Sequence, residues 1–206
     1  MTPLRILLGA LACLAPMAAG AAPRNADPDW PCQQALVPQI APAMIWAGPS
    51  IDGIGDWHKQ PDVAGLVERA APRSVSREQG EAAIDDFTKG LSGDRNHLIT
   101  LAFAGLLDET NRERGEVIER IKELAQRQRS LADIIARLTA QLDAAPAPKP
   151  GEALSPERSE LVERWTFTQR SYNSLQQTMR YACEVPGQLD ARLGAYARAL
   201  QSALSS

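Results

Sequence analysis

The chain has 206 residues, 44% hydrophobic and 23% charged, enough for a packed core and too apolar for wholesale disorder. Its net charge of −3 excludes a nucleic-acid binder that works through a broadly basic surface. Two histidines and three cysteines exclude a His-rich or four-cysteine metal centre.

The first residues read as an address. Arg5 supplies a positive start, Ile6 to Leu14 is a nine-residue apolar run, and Ala19-Gly20-Ala21 fits a cleavage site. Nine helical residues reach about 14 Å, too short for about 30 Å of hydrocarbon. The expectation is a cleaved secretory signal over 1–21 and a single helical domain over 22–206 in the periplasm or outside the cell. A lipoprotein anchored at Cys13 is disfavoured, because Ala10 stands where such sites usually carry leucine. Cleavage removes Arg5 and leaves 21 basic against 25 acidic residues, a net charge of −4. No later apolar run reaches membrane length; the longest, Leu98 to Leu107, ends at Asp108. No membrane span is expected in the mature chain.

Residues 22–61 form an irregular wrap. Seven prolines forbid a long helix, yet three of the four tryptophans (Trp30, Trp46 and Trp57) lie here and call for order. A short helical turn is expected near Cys32 to Val37. Asp52-Gly53-Ile54-Gly55-Asp56 reads as a turn-rich loop. The remaining cysteines, Cys32 and Cys183, are expected to pair in an oxidising compartment, closing a loop of about 150 residues.

Helices follow. One spans Asp62 to Ala71, with Val63, Leu66 and Val67 on one face and Pro72 behind it. Ser76 and Gln79 form a capping box for a second, running to Gly90 and burying Ala83, Ile84 and Phe87. Asp94 to Leu142 contains no proline, and Gly105 and Gly115 suggest a kink between them. Its second half carries a heptad seam: Val117, Leu124, Leu131 and Leu138 alternate with Ile121, Gln128, Ile135 and Leu142. Gln128 either specifies register or points to water at the seam edge. Glu116–Arg120, Glu123–Arg127 and Asp133–Arg137 have the spacing of surface ion pairs.

An Ala/Pro connector occupies 143–155. Ser155-Pro156 then restarts helix, and Leu161, Trp165, Thr168, Tyr172, Leu175, Met179 and Ala182 repeat the 4-3 spacing. Pro186 is expected to interrupt it before a last helix with Leu189, Leu193, Tyr196 and Leu200. The fold class is therefore all-α: a long antiparallel helical hairpin, coiled-coil-like, with short helices and the Pro/Trp-rich wrap. Helix 156–184 returns along helix 112–142, and the base closes where Cys32 meets Cys183. Matching seams favour this monomeric hairpin over a homodimer.

Chemistry is sparse. Asp52, Asp56 and His58 offer carboxylates and imidazole, but at no recognised metal spacing. His97 reads as a surface or capping residue. Glu109 and Glu113, one turn apart among arginines, read as solvated surface charge. No Gly-x-Ser-x-Gly, phosphate loop or C-x-x-C occurs, so no catalytic residue and no cofactor is assigned. Trp46, Asp52, Asp56, Trp57 and His58 mark the candidate ligand or partner surface.

The runs Asp29-Trp30-Pro31-Cys32-Gln33, Ile45-Trp46-Ala47-Gly48-Pro49 and Tyr181-Ala182-Cys183-Glu184 resemble a family of exported helical proteins of proteobacteria. The resemblance implies export and a Cys32–Cys183 bridge, and brings no catalytic residues. Likeness to prefoldin-type chaperone hairpins is architectural only. Together these features predict a non-enzymatic periplasmic accessory protein that binds an envelope partner through its hairpin and Trp-rich base. The alternative is a small-ligand or metal-binding protein using the Trp46–His58 loop.

Overall fold

A computed structural model describes residues 27–204; the expected signal segment lies outside them. Four α-helices account for most of the described chain, and none of the described residues forms a strand. They are α1 (Pro61–Ala70), α2 (Arg77–Gly90), α3 (Arg95–Ala144) and α4 (Pro156–Ser202).

The caps follow the local sequence. Ser76 Oγ accepts from the Gln79 amide at 3.2 Å while Gln79 Oε1 accepts from the Ser76 amide at 2.9 Å, completing the expected box. Asp94 starts α3 by accepting from the His97 amide at 3.1 Å, and Ser155 starts α4 by accepting from that of Arg158 at 3.3 Å. Pro61 and Pro156 sit in first turns, where a missing N–H costs nothing.

The α3–α4 pair is the hairpin, about 75 Å by 70 Å along its arms. Helical hydrogen bonding in α3 runs unbroken through Gly105 and Gly115. Gly105 admits neighbours instead: a Cβ there would lie 2.8 Å from Val67 Cγ2 and 3.0 Å from Trp57 Cδ2. Pro186 does not end α4 either. A proline inside a helix leaves one carbonyl four residues earlier, in α4 that of Ala182, without its helical donor. Here Gln34 Nε2 donates to the Cys183 carbonyl, and the Pro186 carbonyl accepts from Arg114 at 3.0 Å. These side chains supply partners around the proline, and the helix continues.

Two apolar clusters hold the molecule. The larger, at the base, joins Val63, Leu66, Ile84, Phe103, Leu106 and Tyr196 from all four helices, with Trp46 from the wrap. The smaller surrounds the disulfide: Val117, Ile121, Ala125 and Met179, with Trp30, Cys32 and Cys183 against them. Cys32 and Cys183 are bonded, with Cα atoms 5.6 Å apart. The bridge thus sits partway up the hairpin, not at the base. Beyond it the seam has only two helices to bury it. Leu131, Ile135, Leu161, Trp165, Tyr172 and Leu175 stay half-exposed, and Trp165 Nε1 donates to Thr139 Oγ1 across the seam at 3.0 Å.

The wrap is ordered but differs in detail from expectation. Residues 32–34 form a bend, not a helical turn, because Trp30 Nε1 donates to the Gln34 carbonyl at 2.7 Å and the disulfide holds Cys32. The short 3₁₀ turns are Pro42–Met44 and Trp57–Lys59. Ala83 is only half-buried, since Ile84 and Phe87 take the core-facing side of α2.

Candidate functional site

The five loop residues named from the sequence do not form one constellation. Trp46 is 8% exposed and stacks on Phe103, centroids 4.2 Å apart and planes 6° apart. Its Nε1 donates to the Pro49 carbonyl at 2.7 Å. Gly48 is needed beneath it, since a Cβ there would come within 2.4 Å of the indole. Trp46 is a core plug and presents almost no surface.

Asp52 exchanges hydrogen bonds with Ser50 at 3.1 Å within its own turn. Asp56 caps the Trp57–Lys59 turn, accepting from the His58 amide at 3.1 Å and contacting His58 Nδ1 at 3.0 Å. The His58 contacts, and then Lys59, hold the Asp56 carboxyl below its ordinary value. Trp57 stacks on His58 at 3.6 Å and donates from Nε1 to Asp108 Oδ2 at 3.3 Å. Asp56, Trp57 and His58 therefore share one capped turn, while Trp46 and Asp52 lie apart in role. Among the described residues no three His, Cys, Asp or Glu side chains gather as metal ligands.

Trp57 also edges a cleft of about 220 Å³ with Val67, Pro72, Glu109, Arg112 and Glu113. Glu113 departs from the expected solvated role: its side chain is 18% exposed and meets Arg73 and Arg192, each at 3.5 Å. Burial raises its pKa, and Arg192, Arg73 and Arg112 partly offset the rise. Glu109 bonds Arg112 at 2.7 Å. Arg192 donates to the Ala71 and Pro72 carbonyls at 2.6 and 2.9 Å, tying the end of α1 to α4. The cleft is thus braced by charge; its lining carries no serine, cysteine or histidine to serve as nucleophile or base.

A groove of about 940 Å³ lies beside the disulfide. Gln33, Gln34, Gln128, Gln176 and Gln188 line it around Met179. Gln128 faces this groove, half-buried, which answers the question of its place in the seam: it points to open space. Below it Arg114, 4% exposed, binds the Val37 carbonyl at 2.9 Å, the Pro186 carbonyl and Asp190. Burial raises the pKa of Asp190, and Arg114 works against the rise.

The strap that covers this level is held by charge. Asp27 meets Lys122 at 2.9 Å, and Asp29 binds Arg129 and, at 2.7 Å, Gln126. The hydrogen bond from the Asp29 amide, then Lys122, lowers the Asp27 pKa. The three expected pairs along α3 do not form. Glu116 turns back to Arg112 at 2.6 Å, and Lys122 meets Glu119 at 3.1 Å. Arg120, Arg127 and Arg137 make no ion pair among the described residues.

Two aromatic residues that the seam pattern passed over are the exposed large hydrophobic side chains of α4: Phe167 at 73% and Tyr181 at 69%. Their signal was legible as aromatics off the 4-3 stripe, fourteen residues apart. Compared with known proteins, the chain matches no family model, no curated protein and no solved structure. The resemblance to exported helical proteins rests on its short motifs alone.

Proposed function

We propose that the chain is a non-enzymatic accessory protein of the bacterial envelope that docks a protein partner through its hairpin. The observation that carries this reading is the exposure of Phe167 and Tyr181 on one long arm. Large aromatics on a rigid helical face are the residue type that anchors protein interfaces. The signal-like N-terminus and the Cys32–Cys183 bridge support an oxidising compartment outside the cytoplasm. The hairpin is the docking element. The base, with Trp46 inside it and Trp57 half-buried at the cleft, is the support that aims it.

Native mass spectrometry of protein purified from the periplasm without reducing agent tests this reading. Expected is a monomer lacking residues 1–21 and two hydrogens, with no stoichiometric small molecule or metal. Photo-crosslinkers along α4 in intact cells should then give a discrete heteromeric adduct, weakened by Phe167→Glu. A stoichiometric extra mass lost on mutation of Trp57 and His58 would replace docking with small-ligand binding.

A further inference from the structure

We propose that the partner is an acidic amphipathic helix of about four turns, seated on the middle of the hairpin as its third helix. The proposal rests on the docking reading above and names the face and the chemistry it selects. Phe167, Arg170, Ser174, Thr178 and Tyr181 follow one another at spacings of three and four, so they form a single ridge on α4. All five are exposed. The aromatics mark its ends, about 21 Å apart. Between them lies a groove of about 420 Å³, where Arg127 and Leu131 of α3 face Arg170, Ser171 and Leu175 of α4.

The charge of this face sets the partner's sign. Arg127 and Arg170 line this groove and no carboxylate does, in a chain whose net charge is −3. Among the described residues Arg127, Arg164, Arg170 and Arg180 make no ion pair and no hydrogen bond through their side chains. The chain itself shows what the adjoining stretch of α3 accepts. Its strap places Asp27 and Asp29 on Lys122, Gln126 and Arg129, on the turns of α3 that flank Arg127 in sequence. Carboxylates delivered by a neighbouring segment are thus already bound at Gln126, one residue before the free arginine, and at Arg129, two after it. Arg127 and Arg170 leave the next such place open.

The apolar content sets the partner's shape. Leu131 and Leu175 belong to a seam that two helices bury only in part. A third helix covers both, as in a bundle. Four turns match the distance between Phe167 and Tyr181. Apolar residues at three–four spacing would meet Leu131, Leu175 and the two aromatics, and flanking Asp or Glu would meet Arg127 and Arg170.

The test uses the full exported chain with a photo-reactive residue at Ser174 and, in separate variants, at Gln176 and Asp62. Crosslinking is done in intact cells and the adducted segments are sequenced by mass spectrometry. The expected Ser174 adduct is a segment of net negative charge with helical apolar spacing. Its yield should fall at least tenfold in Arg127→Glu/Arg170→Glu and in added salt, and recover in Arg127→Lys/Arg170→Lys. Unchanged helical circular dichroism and disulfide mass show that the variants fold; Arg127→Gln/Arg170→Gln repeats the measurement with less perturbation. A neutral or basic segment, an adduct to a second copy of this chain, or salt-sensitive binding to phosphatidylglycerol vesicles in place of a protein overturns the proposal. Adducts only from Gln176 overturn the face but leave hairpin docking standing. Adducts from Asp62 alone, or from none of the three positions, remove both.

Discussion

The Tyr196 hydroxyl fills the space in which residue 80 would carry a side chain: a Cβ built on Gly80 lies 1.9 Å from that oxygen. The phenol reaches across from α4 and donates to the Ala70 carbonyl at 3.2 Å, so one buried ring fastens α1, α2 and α4 together. Gly80→Ala must push the ring away and break that bond. A loss of about 3 kcal/mol is expected, the upper end for overpacking. Tyr196→Phe should lose about 1 kcal/mol, the worth of one hydrogen bond. Chemical denaturation of both variants checks the order.

The disulfide should be the largest single contribution near the strap. Its partners are 151 residues apart. Chain-entropy bookkeeping for such a loop gives about 5 kcal/mol as an upper value. Cys32→Ser/Cys183→Ser should therefore melt well below the parent. Its strap should also become protease-sensitive at residues 27–39 before the helices do. Equal cleavage rates in parent and variant would show that the ion pairs of Asp27 and Asp29 hold the strap unaided.

Arg114→Ala leaves the Val37 and Pro186 carbonyls and the Asp190 carboxylate without their donor. Arg114 is buried while Asp190 is half-exposed, so the loss should be about 1–3 kcal/mol, the cost of polar groups left without a partner. The loss should shrink in acid. Burial holds the Asp190 pKa above its ordinary value, and without Arg114 it rises further, so protonation at low pH removes the stranded charge. A larger destabilisation at pH 4 than at pH 7 would contradict this assignment.

Glu113 gives a second pH signature. Its folded pKa stands above the ordinary 4.5, so the folded chain holds a proton that the unfolded chain has released. Stability from this group falls as pH rises through the window between the two values. Glu113→Gln carries no such proton, so the variant should gain on the parent between pH 4 and pH 7. Paired melting curves at those two values suffice.

Arg158, on the first turn of α4, donates to the Leu142 carbonyl at 2.9 Å and the Ala145 carbonyl at 3.0 Å. Those acceptors lie at the end of α3, where helix carbonyls lack partners. Arg158→Ala should cost about 1 kcal/mol. Amide exchange should quicken at residues 141–146, with the base unchanged.

Much of this architecture was legible because local signals agreed with one another. The Ser76–Gln79 box, the Ser155-Pro156 start and the matched seams each specify helix and direction without tertiary help. Pro186 misled, because the helix continues through it within a packed setting: Gln34 and Arg114, 152 and 72 residues away, bond the neighbouring Cys183 and Pro186 carbonyls. Glu113 misled for the same reason: its burial is created by Arg73 and Arg192 from other elements. Of the expected α3 pairs, Glu116 turns back to Arg112, while Glu123 and Asp133 stay in solvent without an ion pair among the described residues. Trp46 and Trp57 did mark order in the wrap, but composition could not say which faces inward. That is decided by Gly48 and Gly105, whose missing side chains receive the two indoles.

Pro186 has a mechanical meaning as well. It lies thirty residues from the start of α4, so about 45 Å of unbroken helix projects from it to the tip. Tilting that rod by about 5° at the proline sweeps its far end through roughly 4 Å, by lever geometry alone. Gln34 and Arg114 grip the fulcrum, and the first belongs to the strap that Cys32 pins. Since Trp165 and Arg158 fasten the outer part of this arm to α3, such a lean would carry both arms together, and the strap acts as the set screw of a long pointer.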